Sequence, residues 1–182
     1  TARTYWRTTR GEITAADVIH FLIFDERNSS SITSSIKTAR NNARAVRTAI
    51  TRDVWESINT TWNELAQVKP QSLTADRLPE FLEWIKQRVM SFRGALLGTM
   101  LRNDTYYFSQ IGNFIERADN TARILDVKYF ILLPSVDDIG TPLDSIQWAA
   151  LLKSAGALEM YRRGRGRITP VDVVDFLLLD RE

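Results

Sequence analysis

The 182-residue chain carries a formal net charge of only +2, with 44% apolar and 25% charged residues. That composition suits a soluble domain with a sizeable core, and it provides no field to recruit nucleic acid or an anionic membrane. With no cysteine and one histidine, His20, the chain has no disulfide, no thiol nucleophile and no multi-histidine metal centre.

The first predicted element is a short, largely apolar helix after Thr14 that ends near Asp25. Asn28 and the following serines open a second, Ser30–Ile50, with Ile32, Ile36, Ala39, Ala43, Val46 and Ile50 at helical spacing. A third runs from Thr51 to Val68 on Val54, Ile58, Trp62 and Leu65. KPQSLTADRLP is a linker, and Pro79 suits the first turn of a helix carrying Phe81, Trp84, Ile85, Val89, Phe92 and Leu96 to about Leu101. Asp104 is placed to cap a long helix that Pro134 ends. VDDIGTP reads as a loop, Leu143–Tyr161 as a helix, and a Gly/Arg turn precedes one last short helix. Strand-like alternation is absent. The expectation is an all-α, multi-helix antiparallel bundle forming a single domain, 1–182. No apolar run approaches the roughly 18–20 residues that span a bilayer. Together with the missing cysteines, this fits a cytoplasmic protein.

Gly11–Asp25 (GEITAADVIHFLIFD) and Gly166–Asp180 (GRITPVDVVDFLLLD) align without a gap at an offset of 155. Ile13/Ile168, Thr14/Thr169, Asp17/Asp172, Phe21/Phe176, Leu22/Leu177 and Asp25/Asp180 are identical, and Arg7, Trp6 and Arg10 fall on Arg162, Tyr161 and Arg165. The matched turn residues favour duplication over two helices that merely share a cap. Each copy lacks its counterpart's surroundings, so the expected duplicated unit is truncated at both ends. The apolar surface so exposed leaves a homo-oligomer open.

The stretch NFIERADNTARILD, Asn113–Asp126, carries Glu116, Arg117, Asp119, Arg123 and Asp126 within fourteen residues. On a helical projection Phe114, Ala118, Ala122, Leu125 and Tyr129 share one face, and Glu116, Asp119, Arg123 and Asp126 gather on a strip about 120° away. Arg40, Arg44 and Arg47 form a comparable strip on the second helix. The simplest expectation is that facing strips of Arg and Asp/Glu pair at the edge of the core, partly buried, and fix helix geometry. The 19 arginines against 5 lysines suit such fixed, planar pairing. The competing expectation is a site. Glu116 with Asp119 or Asp126 could hold a divalent cation or act as acid and base, although a ferritin-like centre would need histidines that this helix lacks. Arg40, Arg44, Arg117 and Arg123 could instead hold a carboxylate or phosphate. Neither a metal nor a cofactor is assigned. RRGRGR, Arg162–Arg167, reads as a solvated turn, His20 as a half-exposed helix residue, and Trp55, Trp62, Trp84 and Trp148 as core.

At IERADNTARILDVKY the sequence resembles the alpha-E family, bacterial all-helical proteins with a Glu-Arg motif, here Glu116-Arg117. FLIFDERNSSSI, ARNNARAVR, QWAALLKSAGALEMYRR and FLLLDRE extend the resemblance over nearly the whole chain. Asn41 departs from it, because Glu is expected there. The resemblance implies a longer full-length protein, and company with ATP-grasp ligases and transglutaminase-like proteases. It points to a non-catalytic helical scaffold or partner of an ATP-grasp-type amide ligase, in peptide synthesis or modification. The alternative is an enzyme or anionic-ligand module with a pocket lined by Glu116 and Arg40/Arg44.

Overall fold

The computed structural model describes residues 14–130 and 140–179, and among these it contains eight α-helices and no strand. They are α1 Ala15–Ile23, α2 Ile32–Ala45, α3 Arg52–Leu65, α4 Leu78–Thr99, α5 Asp104–Phe130, α6 Pro142–Ser154, α7 Leu158–Gly164 and α8 Pro170–Leu178. A short 3₁₀ turn, Pro70–Ser72, lies in the linker between α3 and α4. The all-α expectation holds. The chain forms two compact units, residues 1–107 and 108–182, with the boundary falling within α5.

In the first unit, α2 packs on α3 and α3 on α4. Thr14 caps α1 by accepting from Asp17 N–H at 3.2 Å, and its hydroxyl donates to the Asp17 carboxylate at 2.6 Å. The polar run after α1 folds back on itself. Arg27 donates to Asp25 from its backbone and its guanidinium, while buried Asn28 donates to Phe21 O at 3.1 Å. That guanidinium holds the Asp25 carboxyl below its ordinary range, against the upward push of burial. Ser31 then caps α2. This helix ends at Ala45 and not at Ile50; a turn through Val46–Ala49 follows, with half-exposed Val46 outside the core. Thr51 caps α3. Two apolar clusters result: Ile23, Leu65 and Phe81 with Ile32, Ile36 and Trp84 around them, and Val54, Met100 and Tyr106 with Phe92 and Leu96.

The start of α5 corrects the expected cap by one residue. Asp104 already lies in the helix, and it is the Asn103 side chain that accepts from Tyr106 N–H, at 3.3 Å.

In the second unit, α6 packs on α7 and α8. The helix expected over Leu143–Tyr161 is broken in two by Gly156, which sits at φ +69°. There Gly156 N–H donates to Lys153 O at 3.0 Å and Ala157 N–H to Leu152 O at 2.8 Å, the paired bonds of a Schellman ending. The turn redirects the chain so that Tyr161 packs back under α6. Leu125, Trp148, Leu151, Leu152, Ala157, Tyr161 and Val173 form one cluster. At roughly 1.5–3 kcal/mol for each large side chain buried, that cluster holds the unit together. The Tyr161 hydroxyl donates to Arg167 O at 3.0 Å, its ring meets Phe176 edge-on at 5.3 Å, and burial raises its pKa.

The two segments related by the offset of 155 match locally. Both α1 and α8 have nine residues, and Thr169 repeats the Thr14 arrangement with Asp172 at 2.6 and 3.2 Å. Their burial differs: Phe21 and Ile23 are buried in α1, Val173 in α8. Trp6, Arg7, Arg10, Gly11, Ile13 and Asp180 lie outside the described residues, as do Pro134 and most of the VDDIGTP loop.

Candidate functional site: the Glu-Arg helix and the cleft beside it

The stretch Asn113–Asp126 has neither proline nor glycine and includes two Ala, two Arg, one Glu and one Leu, all strong helix formers, so it propagates α5. Its side chains bond along the helix at i,i+4. Asp119 accepts from Arg123 Nε at 2.7 Å, Glu116 accepts from the Asn120 amide, and the Thr121 hydroxyl donates to Arg117 O at 2.9 Å. The Arg123 bond holds the Asp119 carboxyl below its ordinary range, and Asp119 in return raises Arg123, with help from the charge of Asp126.

All five charged residues of the motif, Glu116, Arg117, Asp119, Arg123 and Asp126, are exposed. This corrects the expectation of partly buried clamps. An i,i+4 pair on one helix joins no two helices, and solvent screens it. The predicted core face is corrected as well. Of Phe114, Ala118, Ala122, Leu125 and Tyr129, only Leu125 is buried. The strip of α5 that turns inward is Thr121, Ile124, Leu125 and Lys128, rotated by roughly 80° from the expected one. What remains outward is a row of large apolar side chains: Phe108 is 73% exposed, Phe114 59% and Ile115 65%, with Ile111 half exposed.

The inward strip includes a group that sequence reasoning missed. Lys128 and Asp144, 1% and 2% exposed, form an ion pair at 2.6 Å. Lys128 Nζ also donates to Gln147 Oε1 at 2.7 Å and lies 5.3 Å from the centre of the Trp148 ring. Burial pushes the Asp144 carboxyl up. The Lys128 ammonium and the Gly140 N–H, 3.0 Å away, outweigh it, so the net shift is downward. In sequence, Thr141-Pro-Leu-Asp144 is a capping signature, and Thr141 does accept from Asp144 N–H at 3.2 Å. That role gives no hint that the same carboxylate also takes a lysine from α5.

Between α5 and α6–α8 lies a cleft of about 790 Å³. Arg117 and Arg123 of the motif line it, with Asn120, Gln147 and Ser154 as neutral polar groups and Ile124, Leu151, Met160, Phe176 and Leu177 as apolar wall. Glu116, Asp119 and Asp126 do not line it. A smaller hollow of about 380 Å³ in the first unit lies among Glu64, Leu73, Arg77, Glu80, Phe81 and Trp84.

Arg40 and Arg44 belong to the first unit. Arg40 donates to Asn59 Oδ1 at 2.8 Å, and the guanidiniums of Arg40 and Arg47 lie 5.9 and 5.7 Å from the Trp55 ring centre. Among the described residues, Arg40, Arg44 and Arg47 have no ion-pair partner. Trp148 is fully buried, whereas Trp55, Trp62 and Trp84 are partly buried. Within RRGRGR, Arg162, Arg163 and Arg167 are exposed and Arg165 pairs with Asp175 at 3.1 Å. His20 is exposed, its ring 5.9 Å from that of Phe24. No cluster of three or more His, Asp or Glu side chains able to hold a metal occurs among the described residues, and no helix there is long and apolar enough to cross a membrane.

No curated protein and no solved structure matches the chain. A family model does: its description is a predicted alpha-helical domain with a conserved ER motif, and the match covers residues 1–182. The chain therefore belongs to the Alpha-E family.

Proposed function

We propose that the chain is a non-catalytic helical module that docks a protein partner through the outward face of α5. The observation that carries this reading is the row of Phe108, Ile111, Phe114 and Ile115, large apolar side chains on consecutive turns left at least half exposed. Contiguous exposed apolar residues bordered by charges are characteristic of interaction surfaces. Here Glu116, Asp119 and Arg123 supply the border, with Asp119 and Arg123 held in one geometry by their mutual bond. The partner proposed is an ATP-grasp-type amide ligase of bacterial cytoplasm that builds or modifies a peptide, on the strength of the family resemblance.

Binding of the whole chain to such a ligase, measured by calorimetry with and without ATP, tests this. Ile115→Glu places a charge in the middle of the apolar row and should weaken binding by tenfold or more, about 1.4 kcal/mol, while the helical circular dichroism stays unchanged. Glu116→Gln should weaken binding less and leave the melting temperature alone, since Glu116 is exposed. Unaltered affinity in Ile115→Glu would remove the α5 face from the interface.

A further inference from the structure

The cleft beside the Glu-Arg helix has a one-sided charge pattern. Every charged side chain that lines it among the described residues is basic: Arg117, Arg123 and Lys128. These three differ in how far they are already used. Arg123 is bonded to Asp119. Lys128 gives two of its three protons to Asp144 and Gln147, with one N–H unassigned among the described residues. Arg117 lines the cleft and has no ion-pair partner among the described residues, so its five N–H donors are not committed to a carboxylate. Neutral donors and acceptors, Asn120, Thr121, Gln147 and Ser154, line the same space.

Much of the remaining lining is apolar. Ile124, Leu151, Met160, Phe176 and Leu177 come from four different helices, so the apolar surface is assembled by the tertiary fold and belongs to no single amphipathic stripe. A volume of about 790 Å³ is within the range that encloses a small organic ligand. Basic groups together with an apolar lining exclude two classes of occupant. A wholly apolar molecule would make no use of the basic groups, and a compact inorganic anion would leave the apolar lining in water.

From this complementarity we infer that the cleft is a binding site for a small amphipathic carboxylate, an acid group carried on an aliphatic or aryl-aliphatic body. Arg117 takes the carboxylate through its planar fork, Asn120 and Gln147 complete its hydrogen bonds, and the apolar body lies along Met160, Phe176 and Leu177. The site gives Arg117, the arginine of the Glu116-Arg117 pair, a role distinct from that of the outward face. The outward row of Phe108, Ile111 and Ile115 lies on another side of α5, so partner docking and ligand binding can fail separately.

Octanoate is a suitable probe, with 1-octanol as its neutral counterpart and octylamine as its opposite in charge, titrated calorimetrically into the whole chain. Octanoate should bind about tenfold more tightly than octanol, the value of one charge-assisted pair, and octylamine should bind most weakly. Arg117→Gln should bring octanoate down to the affinity of octanol while leaving octanol unaffected; Arg117 is exposed, so the fold should persist. Met160→Glu, at a position 60% exposed on the apolar side, should weaken octanoate and favour octylamine. The inference is overturned if no probe binds, if octanol binds as tightly as octanoate, or if Arg117→Gln binds octanoate like the parent.

Discussion

Lys128→Met removes the cation from the buried pair with Asp144 while keeping most of the side chain's volume. At 2.6 Å, with an effective dielectric constant of about 20, the pair's attraction is roughly 6 kcal/mol. Desolvating two ions costs several kcal/mol each, so the intact pair contributes little net stability. Removing one partner is different, because the desolvation cost of Asp144 then stands uncompensated. Such losses run to about 3–5 kcal/mol, and the retained Gly140 N–H places this one near 3. For a chain of this size that corresponds to a fall in melting temperature of about 6–12 °C. Urea unfolding followed by circular dichroism would measure it. The double variant Lys128→Met/Asp144→Asn should recover about 2 kcal/mol of the loss, since a neutral amide tolerates burial better than an unpaired carboxylate.

The pH dependence carries the same sign. The folded Asp144 carboxyl titrates below its ordinary value of 3.8, so its pairing stabilises the fold above that pH and the contribution is lost as pH falls through the folded value. In Lys128→Met, burial, the largest influence on the carboxyl, has lost the ammonium that opposed it and is countered mainly by the Gly140 N–H, so the pKa rises relative to the parent. The stability gap between parent and variant should therefore be widest near neutral pH and close in acid. A Lys128→Met protein within about 1 kcal/mol of the parent at pH 7 would refute the reasoning, as would a gap that widens on acidification.

Gly156→Ala should cost about 1–2 kcal/mol in chemical denaturation, because φ +69° strains an L side chain even though a Cβ there meets no neighbour. An undiminished midpoint would mean that the α6–α7 turn does not require the left-handed conformation. Asp119→Asn should leave the melting temperature within scatter, since its pair with Arg123 is exposed and confined to one helix. A clear loss of stability there would restore the scaffold role that the exposed geometry argues against.

Helix positions and most helix starts were legible in the sequence, because they rest on local chemistry. Thr14, Ser31, Thr51, Thr141 and Thr169 each accept from a backbone N–H in the first turn of the helix they precede, and each acts within four residues of itself. The site was half legible. The Glu-Arg signature was plain, but its burial was misjudged, because α5 is apolar on more than one side and periodicity alone does not say which side neighbours cover. Phe114 and Ile115 look like core residues in a linear reading and stand in solvent in the structure.

The sequence by itself determined the all-α class, the capping at Thr14 and Thr169, and the resemblance to the Alpha-E family. Only the tertiary structure decided that the motif's charges are exposed, that Lys128 is buried against Asp144, and that Arg117 shares a cleft with apolar residues gathered from four helices. The physical reason is range. Capping and helix propensity are settled within a turn or two of chain, whereas burial and charge pairing depend on residues such as Asp144 and Phe176, brought beside α5 from 16 or more positions away by the Gly156 turn and the packing of Trp148 and Tyr161.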